Sequence, residues 1–295
     1  MDLTNLYKNL ENVKKCKDNF GCTYFSSEDY AVCNFVINNT LSYSFSPSLE
    51  KRISKHKLIK ESLKTFHSFD QDNYFQLLKI VFFTKFIKDY QEHHGGVDFS
   101  FSATATDNKK NISDGYITAY HIPKTIYEID IVMLGHEYCH SLKETNVLEY
   151  KNNLLFGEVI PIFYELIDYE NDFLRQNHLQ FRLFWLTREK EIYEMISRNT
   201  NIYHYLSKEY DMNKKRNIHA FTKSYFGSYL TGFYYAIILY SMYKKEPDKI
   251  LGLVSKVLKH DLTTFDMLKI LNIYCDIKGD IYQKEFKGMV KILTK

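Results

Sequence analysis

The sequence predicts a mainly α-helical fold with one small β region. Chain breakers are scarce, with 4 Pro and 11 Gly in 295 residues, whereas all-β and α/β proteins need many turns and Gly-rich connections. Hydrophobic residues make up 45% of the chain and charged residues 25%, the usual shares for a globular protein. No repeat, low-complexity segment or Pro/Ser-rich linker interrupts the pattern, so we expect one domain over residues 1–295.

Apolar periodicity predicts three regions along this domain. We expect a helical N-terminal part over residues 1–92, a β-hairpin over 93–123 and a helical core over 124–295. The N-terminal helices are predicted from Leu49 to about Phe66 and from about Asp70 to Gln91. The second of these carries an apolar stripe made of Phe75, Leu78, Val81, Phe82 and Ile87. The core helices are predicted at 125–144, 154–175, 178–199, 201–211, 216–243, 247–259, 262–277 and 280–293.

The β region differs from its surroundings because its polar and apolar residues alternate. Residues 97–106 alternate with period two, residues 107–115 are rich in turn formers, and residues 116–122 predict a second strand. The helix that follows is expected to begin with a capping box, Thr125-Ile-Tyr-Glu128, in which the Thr hydroxyl and the Glu carboxylate accept from free backbone N–H groups.

Charge, cysteine content and apolar runs limit the classes of partner and compartment. The net charge of +3 does not indicate nucleic-acid binding, which shows as a clustered basic face. The first twenty residues lack the apolar run of a signal peptide, and the apolar stretch Leu230–Tyr243 is too short to span a bilayer. Five cysteines without a CxxC pair favour reduced thiols. We therefore expect a cytoplasmic protein with no membrane or nucleic-acid partner.

One predicted helix contains the pattern His-Glu-x-x-His, at residues 136–140. The i, i+4 spacing places both imidazoles, of His136 and His140, on one helix face, where they can bind one tetrahedral metal ion. Glu137 projects from the neighbouring position, from which a carboxylate can reach a water on the metal. The alternative is a chance match of two buried histidines, and a third ligand would decide between the two interpretations.

Three residues are candidates for the third ligand: His178, His204 and Glu158. Each histidine stands alone in a helical pattern, where a surface or core position is more common than a ligand. Glu158 follows His140 by eighteen residues in an otherwise apolar turn, where a carboxylate is costly unless it is paired or metal-bound. Glu165 lies two turns further on the same face. It is either a hydrogen-bond partner of a zinc-binding imidazole or a solvated surface carboxylate.

With these residues, the chain resembles the thimet oligopeptidase and oligopeptidase F family of zinc metallopeptidases, which are gluzincins. That family carries His-Glu-x-Gly-His on one helix, and on a later helix a Glu followed seven residues on by a second Glu, as Glu158 and Glu165 are here. In a third block, His219, Tyr225 and Tyr229 have the oligopeptidase F spacing. The Tyr-Leu-Thr-Gly-Phe of this block is similar to the Tyr-Ala-Thr-Gly-Phe of that branch.

The resemblance covers roughly residues 75–245 and implies a zincin-type helical catalytic domain with one Zn²⁺ per chain. It implies that the zinc ligands are His136, His140 and Glu158, and that Glu137 is the general base. It implies that substrate is bound, or the oxyanion stabilised, by His219, Tyr225 and Tyr229. The expected activity is hydrolysis of peptide bonds in oligopeptides or exposed protein segments. The alternative is a catalytically degenerate zinc protein that binds peptides without cutting them.

Two further points concern the surroundings of the predicted metal. The family has an extended segment ahead of the metal helix whose edge pairs with the substrate backbone, and the predicted hairpin at 97–122 occupies that position. The family Gly before the second His is Cys139 here. Cys139 is either an inert buried thiol or a residue that alters helix packing and makes the activity sensitive to oxidation.

Overall fold

The computed structural model describes residues 27–40, 51–90, 103–105, 118–144, 156–168, 175–198, 218–274 and 280–293. Within these ranges the protein is mainly helical, as the scarcity of Pro and Gly predicts. The helices are α1 Ser27–Asn39, α2 Lys55–Phe69, α3 Gln71–Phe82, α4 Asp130–Glu144, α5 Val159–Asp168, α6 Arg175–Arg198, α7 Ile218–Lys245, α8 Pro247–Leu258, α9 Thr264–Ile270 and α10 Asp280–Leu293. The strands are β1 Thr84–Tyr90, β2 Ala103–Ala105 and β3 Thr118–Pro123.

Most of the predicted helices are present, with shifted ends. Helices α6, α7, α8 and α10 agree closely with the predictions at 178–199, 216–243, 247–259 and 280–293. Helix α2 begins later than predicted because Ser54 caps it, its hydroxyl accepting from the backbone N–H of Lys57. Helices α5 and α9 cover only part of 154–175 and 262–277. The predicted helix at 201–211 lies outside the described residues.

The prediction of one helix from about Asp70 to Gln91 is wrong in its second half. Helix α3 ends at Phe82, and strand β1 begins at Thr84. The Thr84 hydroxyl donates to the Ile80 carbonyl at 2.7 Å, which satisfies an acceptor at the helix end. β1 then pairs in parallel with β3, which is distant in sequence. Such non-local pairing overrides a local helical pattern.

The buried face of α3 also differs from the predicted stripe. Asn73 and Leu77 are buried, whereas Phe75 and Phe82 are 71% and 80% exposed. The side chain of Asn73 donates to the backbone carbonyl of Ser255 on α8 at 3.0 Å. This contact turns the polar Asn73 inward, so the aromatic residues that looked like core lie on the outside.

Both strands of the predicted hairpin lie partly within the described residues, as β2 and β3, and they belong to a three-stranded sheet with the order β1-β3-β2. β2 and β3 pair antiparallel, from Ala103 opposite Tyr120 to Ala105 opposite Thr118. β3 is therefore the central strand, and β2 is an edge strand that also lies against α4. The hydroxyls of Tyr120 and Ser141 are 2.5 Å apart, and this hydrogen bond ties β3 to α4.

The helix with the His-Glu-x-x-His motif, α4, begins at Asp130 instead of residue 125, so the predicted capping box at Thr125 is wrong. The Asp130 carboxylate accepts from the backbone N–H of Tyr127 at 2.7 Å. Glu128 pairs instead with Lys57 of α2 at 3.1 Å. Because Tyr127 also forms a β-bridge with the segment ahead of α2, this part of the chain stays out of the helix.

Helix α4 is buried on nearly all sides, between α2 and α5. A Cβ at Gly135 would overlap the ring and hydroxyl of Tyr164, so the glycine makes room for this side chain of α5. That hydroxyl shares a hydrogen bond with Thr65 of α2 at 2.9 Å. Tyr138 makes a similar contact with Ser62 at 3.2 Å. The motif is therefore carried by a helix whose position is determined from several directions.

Cysteine state and membrane-spanning potential can be read from the described residues. Cys33 and Cys139 are buried thiols, and neither forms a disulfide with a described residue. Cys16, Cys22 and Cys275 lie outside the described residues. None of the described helices is both long enough and apolar enough to cross a membrane.

Substitution of two phenylalanines tests the burial in α2 and α3. Phe66 is fully buried against the rings of Tyr138 and Tyr164, so we expect Phe66→Ala to lower the free energy of unfolding by about 3–5 kcal/mol. Phe82 is 80% exposed, and Phe82→Ala should change it by at most about 0.5 kcal/mol. Urea denaturation measures both, and similar losses in the two variants would contradict the exposed position of Phe82.

Candidate metal centre

The structure brings His136, His140 and Glu158 together in one buried cluster. One nitrogen or oxygen atom of each residue lies within 4.8 Å of the others. The two Nε2 atoms of the histidines are 3.0 Å apart. The Oε2 atom of Glu158 is 3.3 Å from Nε2 of His136 and 3.5 Å from Nε2 of His140. The two histidines come from α4, and the carboxylate comes from the start of α5.

The first turn of α5 positions Glu158. The backbone carbonyl of Glu158 accepts from the N–H of Ile162 at 3.0 Å, so Glu158 stands at the N-terminal cap of the helix. Pro161 lies in the first turn, where a missing N–H costs no helical hydrogen bond. The side chain of Glu158 therefore projects from a rigid helix start.

A buried lysine holds the segment just before Glu158. Lys143 is completely buried, and its ammonium donates to the carbonyls of Phe156 at 3.4 Å and Gly157 at 3.2 Å. These bonds tie the end of α4 to the start of α5. The sequence analysis did not single out Lys143, although it continues the inward stripe of His136 and His140 at the next three-residue step.

Helix α7 approaches Glu158 from another direction, at a glycine. A Cβ at Gly232 would lie 2.5 Å from the Cβ of Glu158 and 3.1 Å from its backbone carbon. Gly232 is the glycine of the Tyr-Leu-Thr-Gly-Phe block. Only glycine permits this approach of α7 to the third ligand of the cluster.

Glu165 lies on the far side of His136. Its Oε1 atom is 2.6 Å from Nδ1 of His136, and the residue is 0% exposed. The solvated surface position that the sequence left open therefore does not apply. Since Nδ1 donates to the carboxylate, the other ring nitrogen, Nε2, is directed to the cluster with His140 and Glu158.

Helix α6 adds two charged residues that the sequence analysis did not identify. Nη1 of Arg182 is 3.7 Å from Oε1 of Glu165. Nη2 of Arg182 donates to both carboxylate oxygens of Glu189 at 2.6 Å. A signal for them exists, because Arg182, Leu186 and Glu189 recur at helical spacing on the buried face of α6.

The carboxylates around His136 change the acid–base behaviour of the cluster. Burial alone would lower the pKa of His136, but Glu158 and Glu165 outweigh it and raise the pKa to about 10. Burial would raise the pKa of the Glu158 carboxyl, but the imidazoles of His140 and His136 hold that pKa well below its usual range. The cluster therefore favours a positive charge between its two carboxylates.

The chemistry of this donor set fits a divalent metal ion. The four buried carboxylates of Glu137, Glu158, Glu165 and Glu189 outnumber the two buried cations beside them, Arg182 and Lys143. With neutral imidazoles, two negative charges remain, which a dication would balance. The buried Oε2 of Glu158 faces the Nε2 atoms of His136 and His140 at 3.3 and 3.5 Å, without a well-aligned hydrogen bond to either. Two imidazoles and one carboxylate are the ligand set of catalytic zinc sites that keep a fourth position open.

The remaining predicted site residues are placed only in part. Glu137 is buried on α4 at 9% exposure. His219, Tyr225 and Tyr229 belong to α7, where Tyr229 is half-buried, and the side chains of the other two lie outside the described part. Tyr225 and Tyr229 stand seven and three residues before Gly232, so their backbone positions share the helix face that approaches Glu158. The backbone of His178 lies on α6 and its side chain is outside the description, as is all of His204.

Cys139, which stands where the resembled family has glycine, is completely buried. Burial raises the pKa of its thiol well above the usual value, although Lys143 opposes the shift. A protonated, inaccessible thiol is a poor nucleophile and is slow to oxidise. The geometry therefore favours the inert thiol of the two alternatives.

Fold and site together define a mainly helical protein with a buried cluster of two histidines and one glutamate that could hold a metal ion. Comparison of the chain with protein-family models, with curated proteins and with solved structures finds no match in any of the three.

Two glycine substitutions test the close approach of α7 to Glu158. Gly232→Ala should displace the Glu158 backbone and weaken zinc binding by at least about tenfold, since disturbed ligand geometry commonly costs that much. Gly252→Ala, in the interior of α8, meets nothing within 4 Å. It should leave zinc affinity unchanged and stabilise the protein by up to about 1 kcal/mol. Titration against a chromogenic zinc chelator measures both affinities, and equal affinities would contradict the steric argument.

The pKa of His136 predicts proton release on metal binding. With a pKa of about 10, His136 is protonated at neutral pH when no metal is bound, and a metal must displace that proton. We expect about one proton to leave His136 per zinc at pH 7–8, and the apparent affinity to rise up to about tenfold per pH unit. Calorimetry in buffers of different ionisation enthalpy counts the protons. A count near zero would contradict the charged imidazole.

Proposed function

We propose that this protein is a zinc metallopeptidase that resembles the thimet oligopeptidase and oligopeptidase F family, with a zincin-type arrangement of its metal helix. The observation that carries the proposal is the cluster of His136, His140 and Glu158 within 4.8 Å, with Glu165 hydrogen-bonded to His136. The motif, the third ligand and the imidazole partner belong to separate parts of the sequence. A chance pair of buried histidines would not bring two carboxylates, 22 and 29 residues further along the chain from His136, to the same imidazole.

In this proposal His136, His140 and Glu158 hold one Zn²⁺. Bound zinc acts as a Lewis acid on a substrate carbonyl and lowers the pKa of water to about 7. Glu165 orients the His136 ring through its bond to Nδ1, and Lys143 and Gly232 orient Glu158. The protein thus supplies a donor set whose geometry is determined before substrate arrives.

Glu137 is the proposed general base. It follows His136 on α4 and is neither one of the three clustered residues nor exposed to bulk water. Its carboxylate takes a proton from the attacking water and later gives it to the leaving amine. Hydrogen bonds from His219, Tyr225 and Tyr229 of α7 to the carbonyl oxygen of the substrate would stabilise the charge that develops there. The approach of the Gly232 face of α7 to Glu158 supports this role for the tyrosines.

Strand β2 is the proposed docking edge for the substrate backbone. β3, directly before α4, is the central strand and already pairs on both sides. β2 has a partner on one side only among the described strands, and it lies against α4. A peptide added to β2 as a further strand would run beside the metal helix, bound mainly through its main chain. Substrates are therefore oligopeptides or extended protein segments. The reduced, buried thiols of Cys33 and Cys139 support a reducing compartment such as the cytoplasm.

Digestion of a diverse peptide mixture by the zinc-loaded protein tests the proposal. We expect wild type to cut peptide bonds, and Glu137→Gln to lower kcat by at least about 100-fold, because general-base catalysis contributes 10²–10⁴-fold. Zinc should remain bound in Glu137→Gln, since Glu137 is outside the donor set. His136→Ala should lose both zinc and activity. Mass spectrometry of the products and metal analysis of the purified variants give the two readouts.

The outcomes separate the competing functions. Stoichiometric zinc without cleavage by wild type would favour the zinc-containing, peptide-binding protein. Cleavage that survives in Glu137→Gln would contradict the role of Glu137 and point to a contaminating protease. Absence of zinc from wild type, with no uptake when zinc is supplied, would contradict the metal centre.

A further inference from the structure

A buried ion pair on α6 touches the proposed metal centre without belonging to its donor set. Arg182 and Glu189 stand two turns apart on one face of α6 and are 3% and 6% exposed. The guanidinium donates through Nη2 to both oxygens of Glu189 and places Nη1 3.7 Å from Oε1 of Glu165. That same Oε1 atom accepts from Nδ1 of His136. A continuous chain of polar contacts therefore runs from the cluster to α6.

Such a pair is an expensive way to stabilise a helical core. Removing two charges from water costs several kcal/mol per ion, and well-packed hydrophobic residues commonly serve stability as well or better. The other positions of their stripe, Leu186 and Tyr193, are apolar or aromatic, whereas the adjacent buried stripe is mixed and consists of Leu183, Thr187 and Lys190. The contact between the guanidinium and Glu165 explains the placement of Arg182 and Glu189 better, because the Glu165 carboxylate holds the ring of His136.

We propose that Arg182 is a positioning residue for the metal centre: it holds the Glu165 carboxylate against Nδ1 of His136, and Glu189 holds Arg182 in turn. This inference rests on the proposed metal centre. The carboxylate of Glu165 has two neighbours, the imidazole N–H of His136, which donates a hydrogen bond, and the guanidinium of Arg182, which forms an ion pair. Between them, its Oε1 atom has little freedom to turn, so the ring plane of His136 and the direction of Nε2 are determined from α6 as well as from α5.

The charges on the two residues cancel, which makes the proposal testable. Replacing both by methionine, in Arg182→Met/Glu189→Met, leaves the net charge around the cluster unchanged and removes only the restraint on Glu165. We expect zinc Kd to rise about tenfold, the lower end of what loss of an outer partner costs. The Tm of the metal-free protein should stay the same or rise, because the buried ion pair is replaced by apolar volume. The visible spectrum of the cobalt-loaded variant should shift, since it reports ligand geometry.

An exposed pair on the same helix provides the matched control. Arg198 and Glu194 form an ion pair at 3.3 Å, with side chains that are 77% and 37% exposed. Arg198→Met/Glu194→Met also removes one charge of each sign from α6. It should leave zinc Kd, the cobalt spectrum and the Tm of the metal-free protein close to those of wild type.

The same double substitution made in a Glu165→Gln variant shows whether Arg182 and Glu189 act through Glu165. In Glu165→Gln, the charged acceptor that Arg182 restrains is already gone. Adding Arg182→Met/Glu189→Met to that variant should then change zinc Kd by no more than about twofold, the scatter expected for uncoupled substitutions. A further tenfold rise in this background would overturn the proposal, because it would show that α6 acts on the site through general packing.

Failure of this inference and failure of the proposed function give different results. Zinc Kd in the double variant within about twofold of wild type overturns the role of Arg182 and leaves the metallopeptidase proposal intact. A wild type that binds zinc but cuts no peptide overturns the peptidase and leaves the role of Arg182 supported by the Kd values. A wild type that binds no zinc overturns both. Should the double variant not fold, Arg182→Lys keeps the charge but loses the planar fork. Its zinc Kd is expected to rise, and an unchanged Kd overturns the proposal.

Discussion

The hydrogen bond between Nδ1 of His136 and Oε1 of Glu165 is the interaction on which the rest of the site depends. It is 2.6 Å long, fully buried, and joins α4 to α5. By occupying one nitrogen of the imidazole, it directs the other to His140 and Glu158. The carboxylate of Glu165 also brings a negative charge into the core, and Arg182 on α6 balances that charge. Three helices are thus linked by one carboxylate, and the positions of its neighbours follow from its charge.

Close contacts at two glycines give this network its geometry. Gly135 makes room on α4 for the ring of Tyr164 of α5, and Gly232 lets α7 reach the backbone of Glu158. Lys143 then joins the end of α4 to the carbonyls ahead of Glu158. Because interiors are close-packed, a shift at any of these contacts is transmitted to the ligand atoms. The site is therefore a property of the packing of four helices, α4 to α7, and not of the motif alone.

Features that depend on local spacing along a helix could be predicted from the sequence. Features that depend on contacts between distant parts of the chain could not. Two imidazoles at i, i+4 and two carboxylates seven residues apart follow from helix geometry, and the structure places His140 and both carboxylates around the ring of His136. Strand β1 was predicted as helix, because its pairing with β3 leaves no mark on its own periodicity. Arg182 was not identified because its helical spacing with Leu186 and Glu189 is a weak signal for one residue among 39 that are basic.

The charged imidazole between two carboxylates also bears on whether folding of the protein depends on the proposed metal ion. In small zinc domains the ion holds the chain together, and its removal unfolds them. Here a proton on His136 supplies a positive charge to the same pair of carboxylates, Glu158 and Glu165, and the hydrophobic core extends well beyond the cluster, to α1, α8 and α10. Under the proposed function, zinc would therefore be a replaceable occupant and not a fold determinant. Chains made during metal scarcity would then persist as a folded, metal-free reserve that can be loaded when zinc returns.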